Sequence, residues 1–158
     1  MGNRLTQTSR EIRIVASYTA ARWLISTGPL TAPNMLRTSA QIHAPASVAW
    51  AVLTDTRAWP QWGPSVRAVD APTRFITAGT RGRVQTSVGV WLPFEITHWE
   101  EGRTWCWRVA GIPATGHLIE ATGPDHCRVT FTIPAWAPFY LPVCRRALRA
   151  IGQLATRG

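Results

Sequence analysis

The run Ile42-His-Ala-Pro-Ala-Ser-Val-Ala-Trp-Ala-Val-Leu-Thr-Asp-Thr-Arg-Ala-Trp-Pro-Gln-Trp62 compresses a strand end, a helix start, a helix end and a second, aromatic helix into about twenty residues. Pro45 suits the first helical position, where a missing N–H is no loss. Val48, Ala51 and Val52 follow at i, i+3 and i+4 and share one helix face. Asp55 then offers a carboxylate to cap a second short helix. Trp59 and Trp62 lie three apart on one side of that helix, and Pro60 keeps it short or kinked. Such a start suits a sheet that wraps a long helix around an apolar hollow. An ordinary strand-and-helix opening of an α+β domain fits the same residues.

A chain of 158 residues makes one domain with a sizeable core. By size scaling, roughly two thirds of the unfolded surface leaves water. Nine tryptophans are many for this length. Core packing accounts for most of them, and a cavity lined with rings would take more. The formal net charge is +9, and every basic residue is Arg. That charge raises nucleic acid or an anionic membrane as partners. The arginines are spread from Arg4 to Arg157, densest at Arg145, Arg146 and Arg149. No nucleic-acid-binding motif accompanies them, so no nucleic-acid partner is expected. Cys106, Cys127 and Cys144 form no CxxC, and with His43, His98, His117 and His126 they show no zinc spacing. They read as reduced, partly buried thiols of a cytoplasmic protein, with no metal or other cofactor expected.

The first 35 residues differ in character. Arg4, Arg10, Arg13 and Arg22 stand against Glu11 alone. The apolar stretch from Ile14 to Leu30 is broken by Arg22, too polar for a membrane span or a good signal core. Residues 1–35 are expected to be a flexible extension or sequence upstream of the true start, with a mitochondrial-type presequence ranked last. A single domain is expected over 36–158.

Strand candidates then follow at short spacing: Ser65 to Asp70, Thr80 to Val88, Trp91 to Glu100, Thr104 to Ala110, Ala114 to Ala121 and Arg128 to Ile133. Gly111, Pro113, Gly123 and Pro124 punctuate them. Period-two alternation assigns faces. Val129, Phe131 and Ile133 share one face of the last strand, and Trp105, Trp107 and Val109 one face of an earlier one. In the strand from Trp91, residues Leu92, Phe94, Ile96 and His98 share a face. The chain closes with a helix from about Pro138 to Ala155, in which Tyr140, Cys144, Ala147, Leu148, Ile151 and Leu154 keep helical spacing. Pro142 is tolerated only in its first turn, so the helix proper starts near Leu141.

Residues 36–156 resemble the polyketide cyclase/dehydrase and lipid-transport family of the START-like (SRPBCC) superfamily. The segments that carry the likeness are IHAPASVAWAVLTDTRAWPQWGPSV (42–66), GTRGRV (79–84), LPFEITHWEEGRTWCWRV (92–109) and DHCRVTFT (125–132). The resemblance implies an α+β helix-grip fold: a seven-stranded curved antiparallel sheet around a long C-terminal helix, with two short helices after strand 1. It implies a cavity for a hydrophobic small molecule such as a lipid, a polyketide or an isoprenoid-like compound. It also places the aromatic residues of the second helix, here Trp59 and Trp62, near the cavity entrance. Members that cyclise polyketides use polar cavity residues to fold the chain and promote dehydration. No such set maps onto this sequence residue by residue.

The candidate ligand contacts are Trp59, Trp62, Phe94, Ile96, His98, Trp107, Val109, His117, Ile119, Phe131 and Tyr140. His98 and His117 are the acid–base candidates, each with the alternative of a histidine satisfied by a neighbour or by solvent. Glu95 and Glu120 are read as solvent-facing residues paired with Arg108 or Arg83 across strands, with raised-pKa cavity acids as the alternative. No nucleophile elbow, HExxH, phosphate-cradling loop or dinucleotide fingerprint occurs. The expected function is binding of a hydrophobic small molecule. An aromatase/cyclase-type enzyme and a basic module for an acidic protein partner are the alternatives.

Overall fold

Seven antiparallel strands form one sheet in the order β1-β7-β6-β5-β4-β3-β2. The computed structural model describes residues 35–157. The expected extension over 1–35 lies outside them except for Met35, which already belongs to the sheet. The elements are β1 Met35–Ile42, α1 Ala46–Thr54, α2 Trp59–Trp62, β2 Val66–Asp70, β3 Arg81–Thr86, β4 Trp91–Glu100, β5 Thr104–Val109, β6 Ile112–Gly123, β7 His126–Pro134, a 3-10 turn Pro138–Tyr140 and α3 Leu141–Thr156. This is the helix-grip order, with α3 laid across the concave face.

Each junction has a physical cause. The last four carbonyls of a helix lack intrahelical partners, and in α1 all four find one. Ala51 O accepts from the Asp55 N–H, and Thr54 O accepts from the Ile76 N–H. Val52 O accepts from Trp62 Nε1 at 3.2 Å, and Leu53 O from Trp59 Nε1 at 2.9 Å. The two tryptophans of α2 therefore close α1. Asp55 does not cap α2 as expected. One carboxylate oxygen accepts from the Arg57 N–H, and the other pairs with Arg74 at 2.7 Å, tying α1 to the loop after β2. Burial alone would raise this carboxyl, but the Arg74 hydrogen bonds and the Arg57 N–H hold it below its usual range.

The sheet curls because its ladders are broken. The pairing register shifts between β2 and β3, β4 and β5, β5 and β6, and β6 and β7. Extra residues of this kind add local twist and bend. The β5–β6 turn is tighter than expected. Ala110 and Gly111 both take positive φ, 50° and 79°, and make a two-residue hairpin, so β6 starts at Ile112 rather than Ala114. Ala147, Leu148 and Ile151 of α3 pack on this concave wall with Ile42, Val129 and Ile133.

Gly82 marks the tightest crossing of the wall. A Cβ there would lie 2.5 Å from the Asp70 carbonyl oxygen and 2.8 Å from the buried Phe94 ring. Overpacking against backbone forces the strands apart. Gly82→Ala is expected to lower unfolding stability by about 1–3 kcal/mol in urea titration, and an unchanged midpoint would show that β2 and β3 can slide there.

Candidate functional site

Large rings crowd one half of the concave space, and small residues line the other. Trp59 is 1% exposed and stacks on Trp105, centroids 5.6 Å apart and planes within 5°. Phe94 and Trp107 meet it edge-on or tilted at 5.4 and 5.2 Å. Toward the other end the wall is Val109, Ala110, Pro113, Ala114 and Ala137, and the space there is not filled. The result is a chamber of about 300 Å³, at the small end of the range for drug-sized ligands. Its rim includes the exposed residues Ser87, Val88 and Phe139, so it opens to solvent at the ends of β3 and β7. A recess of about 30 Å³ continues inward past Trp107, Thr115 and Tyr140 to Trp62, His117 and Phe131. Cys144 and Ala147 of α3 roof it, and their small side chains leave it open. It is the volume of roughly one water molecule.

No Asp, Glu or Arg lines either compartment. The polar groups are few. At the junction of chamber and recess, the hydroxyls of Ser65 and Tyr140 lie 2.5 Å apart. Deeper, Trp107 Nε1 donates to Thr115 Oγ1 at 3.2 Å, and Thr115 Oγ1 lies 3.3 Å from His117 Nε2. An indole N–H only donates, so Thr115 Oγ1 accepts from Trp107 and keeps its own hydrogen and a second lone pair toward His117 Nε2. Nδ1 has no partner of hydrogen-bonding geometry. The imidazole is 1% exposed, stacked 3.8 Å from Trp105 and edge-on to Phe131 at 4.5 Å. Burial pushes its pKa down to about 3, and the Trp105 backbone opposes this only weakly.

Ten of the eleven candidate residues fall into three groups, and His98 into none. Trp107, Val109 and Tyr140 line the chamber. Trp59, Trp62, His117 and Phe131 border the recess, where Trp59 and Trp62 spend their indole N–H groups on α1. Phe94, Ile96 and Ile119 are packed in the core and border neither compartment. His98 is a correction: it stands on the convex face with its side chain 47% exposed, 3.3 Å from the Glu100 carboxylate. Thr97 is an extra residue between the pairs Ile96↔Trp107 and His98↔Cys106, so parity flips after Ile96. Glu95 pairs with Arg81 at 2.9 Å, not with Arg108 or Arg83; Arg83 is bonded to Asp70. Glu120 is exposed opposite Arg128.

Sequence reasoning missed Ser65 and Thr115. Thr115 shares strand parity with His117 and was findable. Ser65 meets Tyr140 only through tertiary folding. The three cysteines are free thiols, and burial raises Cys106 to about 11 and Cys144 to about 12, far from reactive thiolate. Among the described residues, no cluster of three His, Cys, Asp or Glu is placed to hold a metal, and no helix is long and apolar enough to cross a membrane.

Residues 35–157 match the family described as polyketide cyclase / dehydrase and lipid transport. Several solved structures share the fold. The ZhuI aromatase/cyclase from Streptomyces sp. R1128 is 12% identical, with a TM-score of 0.61 over 78% of this chain and 93% of that one. XoxI from Bacillus cereus is also 12% identical, with a TM-score of 0.61 over 77% and 95%. A protein from Thermobifida fusca is 20% identical, with a TM-score of 0.58 over 78% and 94%. No curated protein sequence matches the chain. At these identities the likeness establishes architecture, and the lining has to be read from this chain's own residues.

The buried imidazole gives stability a pH dependence of known sign. Below about pH 6.5 the unfolded chain binds a proton that the folded chain refuses until about 3, so stability falls as pH falls, by about 1.4 kcal/mol per unit. Urea unfolding is expected to show a loss of about 2 kcal/mol between pH 6.5 and 5 that His117→Phe removes. An equal loss in the variant would assign the slope to other groups.

Proposed function

Because the chain belongs to the polyketide cyclase/dehydrase and lipid-transport family, we propose that it binds a compact, uncharged hydrophobic molecule in the chamber between sheet and α3. The observation that carries this reading is the lining: about 300 Å³ of open space walled by aliphatic and aromatic side chains, with no formal charge. Transfer of apolar surface from water supplies the affinity, at roughly 25 cal/mol per Å². The Ser65 and Tyr140 hydroxyls, at the neck of the recess, supply orientation to a ligand hydroxyl or carbonyl. A carboxylate drawn inside would lose its hydration and meet no cation, which is expensive.

The cyclase-type alternative draws less support from its own candidates. His98 points away from the chamber. His117 borders the recess, but with a pKa of about 3 it is a poor acid or base at neutral pH. Its neutral Nε2, engaged with Thr115, suits a fixed hydrogen-bonding group better than a proton shuttle.

Displacement of a hydrophobic dye by matched ring compounds tests the reading, alongside native mass spectrometry of gently purified protein. At neutral pH, 2-naphthol is expected to compete and 2-naphthoate to be weaker by about tenfold or more. Val109→Trp, which fills the chamber from its wall, is expected to remove both. Equal competition by the two compounds would overturn the uncharged class. Empty native spectra together with no dye uptake would overturn binding itself.

A further inference from the structure

The antiparallel order gives the sheet two unlike ends. The chamber opens at the end that carries the start of β2, the β3–β4 turn, the β5–β6 turn and the 3-10 turn before α3. Most of the described acidic residues lie elsewhere. Asp55, Glu100, Glu101, Glu120 and Asp125 lie at or beyond the opposite end, while Asp70 and Glu95 stand nearer the chamber end, ion-paired to Arg83 and Arg81. Arg74, Arg81, Arg83 and Arg103 each have a carboxylate partner; the far-end Arg128 and Arg157 have none among the described residues. At the open end, Arg67 follows the chamber residue Val66, and Arg145 and Arg146 follow the chamber residue Val143. These three are exposed, with no carboxylate partner among the described residues.

Exposed apolar bulk is sorted the same way. Among the described residues five large hydrophobic side chains are exposed, and four of them sit at this end: Val88 (38%), Val90 (48%), Trp91 (41%) and Phe139 (46%). Val88 and Phe139 form part of the chamber rim. Val90 and Trp91 continue the same hairpin, the Trp91 ring lying 5.5 Å from the Arg83 guanidinium. They stand on two separate turns that flank the opening.

We propose that this end docks on an anionic membrane surface, the two apolar turns entering the headgroup region while Arg67, Arg145 and Arg146 meet lipid phosphates. Paired aromatic or aliphatic tips and unneutralised cations are what interfacial binding requires. An acidic protein or a nucleic acid would match the cations but would leave the four apolar side chains unexplained. The geometry presents the chamber mouth to the bilayer, a route by which an apolar molecule passes between them without crossing water. The docking stands independently of which molecule occupies the chamber.

Co-sedimentation of the full-length protein with vesicles tests it, using phosphatidylcholine alone and phosphatidylcholine mixed with phosphatidylglycerol. Binding to the anionic vesicles only, weakened by added salt, is expected. The double reversal Arg145→Glu/Arg146→Glu should weaken it by about tenfold or more. The far-end pair Arg128→Glu/Arg157→Glu should leave it within about twofold, because those charges face away from the surface. Val90→Ser/Trp91→Gln should weaken vesicle binding without changing the melting temperature or dye uptake. Equal losses from both charge reversals, or no preference for anionic vesicles, would overturn the proposal. So would binding to duplex DNA of the same strength, indifferent to Val90→Ser/Trp91→Gln.

Discussion

Trp59 is the contact on which the rest of the molecule depends. Its indole N–H closes the α1 carbonyl of Leu53, its ring stacks on Trp105, and its edges meet Phe94 and Trp107. One side chain thus ties the short helices to the middle of the sheet. Aromatic pairs of this kind contribute about 0.5–1.5 kcal/mol each beyond their buried area. The position of the ring also decides where the hollow lies. With Trp59, Trp62 and Trp105 filling one half of the concave space, α3 is held off the other half, where Val109, Ala114 and Ala137 are too small to reach it. The chamber is the complement of the tryptophan cluster.

That dependence separates two roles an aromatic motif can have. Trp59 and Trp62 were attractive as ligand contacts because bulky rings after α1 are expected near an opening. Both have already committed their only donor to a helix end, and both are buried. Trp107, which rested on strand parity alone, is the half-buried ring that faces the open chamber. The hydrogen bond of its indole to Thr115, and Thr115 to His117, runs from the chamber wall to the floor of the recess. Holding a neutral imidazole there forgoes the solvation that a surface histidine keeps. A purely apolar residue would pack there with less penalty, which makes the Thr115–His117 pair more than filler.

The element order, both short helices, the antiparallel sheet and α3 were legible because each rests on a local pattern: a proline at a helix start, period-two alternation, glycine at a turn. What was not legible came from between elements. Parity carried His98 inward, and a single unpaired residue, Thr97, turned it out. Alternation cannot reveal a bulge, because the extra residue is chosen by the partner strand. The partner of Glu95 was missed by one step of register: Arg81, not Arg83 on the same strand or Arg108 on β5, is the cation that meets it. Pro113 looked like a strand breaker, but the turn closes two residues earlier through Ala110 in a conformation that alanine rarely adopts. Ser65 and Tyr140 lie far apart in the chain and meet only because β2 and the 3-10 turn flank one opening.

The neutrality of the chamber and the charge of its rim follow from one constraint. A hollow of this size excludes most water, so any charge on its wall would lack both solvent and counter-ion. Arginines on the elements that line it are therefore pushed outward by strand and helix parity: Arg67 beside Val66, Arg108 beside Val109, Arg145 beyond Val143. Five of the seven described acidic residues lie toward the opposite end, and nothing in the packing demands it. In a chain with a formal charge of +9, carboxylates placed near the mouth would have reduced the self-repulsion of those arginines. Leaving Arg67, Arg145 and Arg146 unneutralised costs stability and returns nothing to the fold, and the proposed docking on an anionic surface would give them a partner.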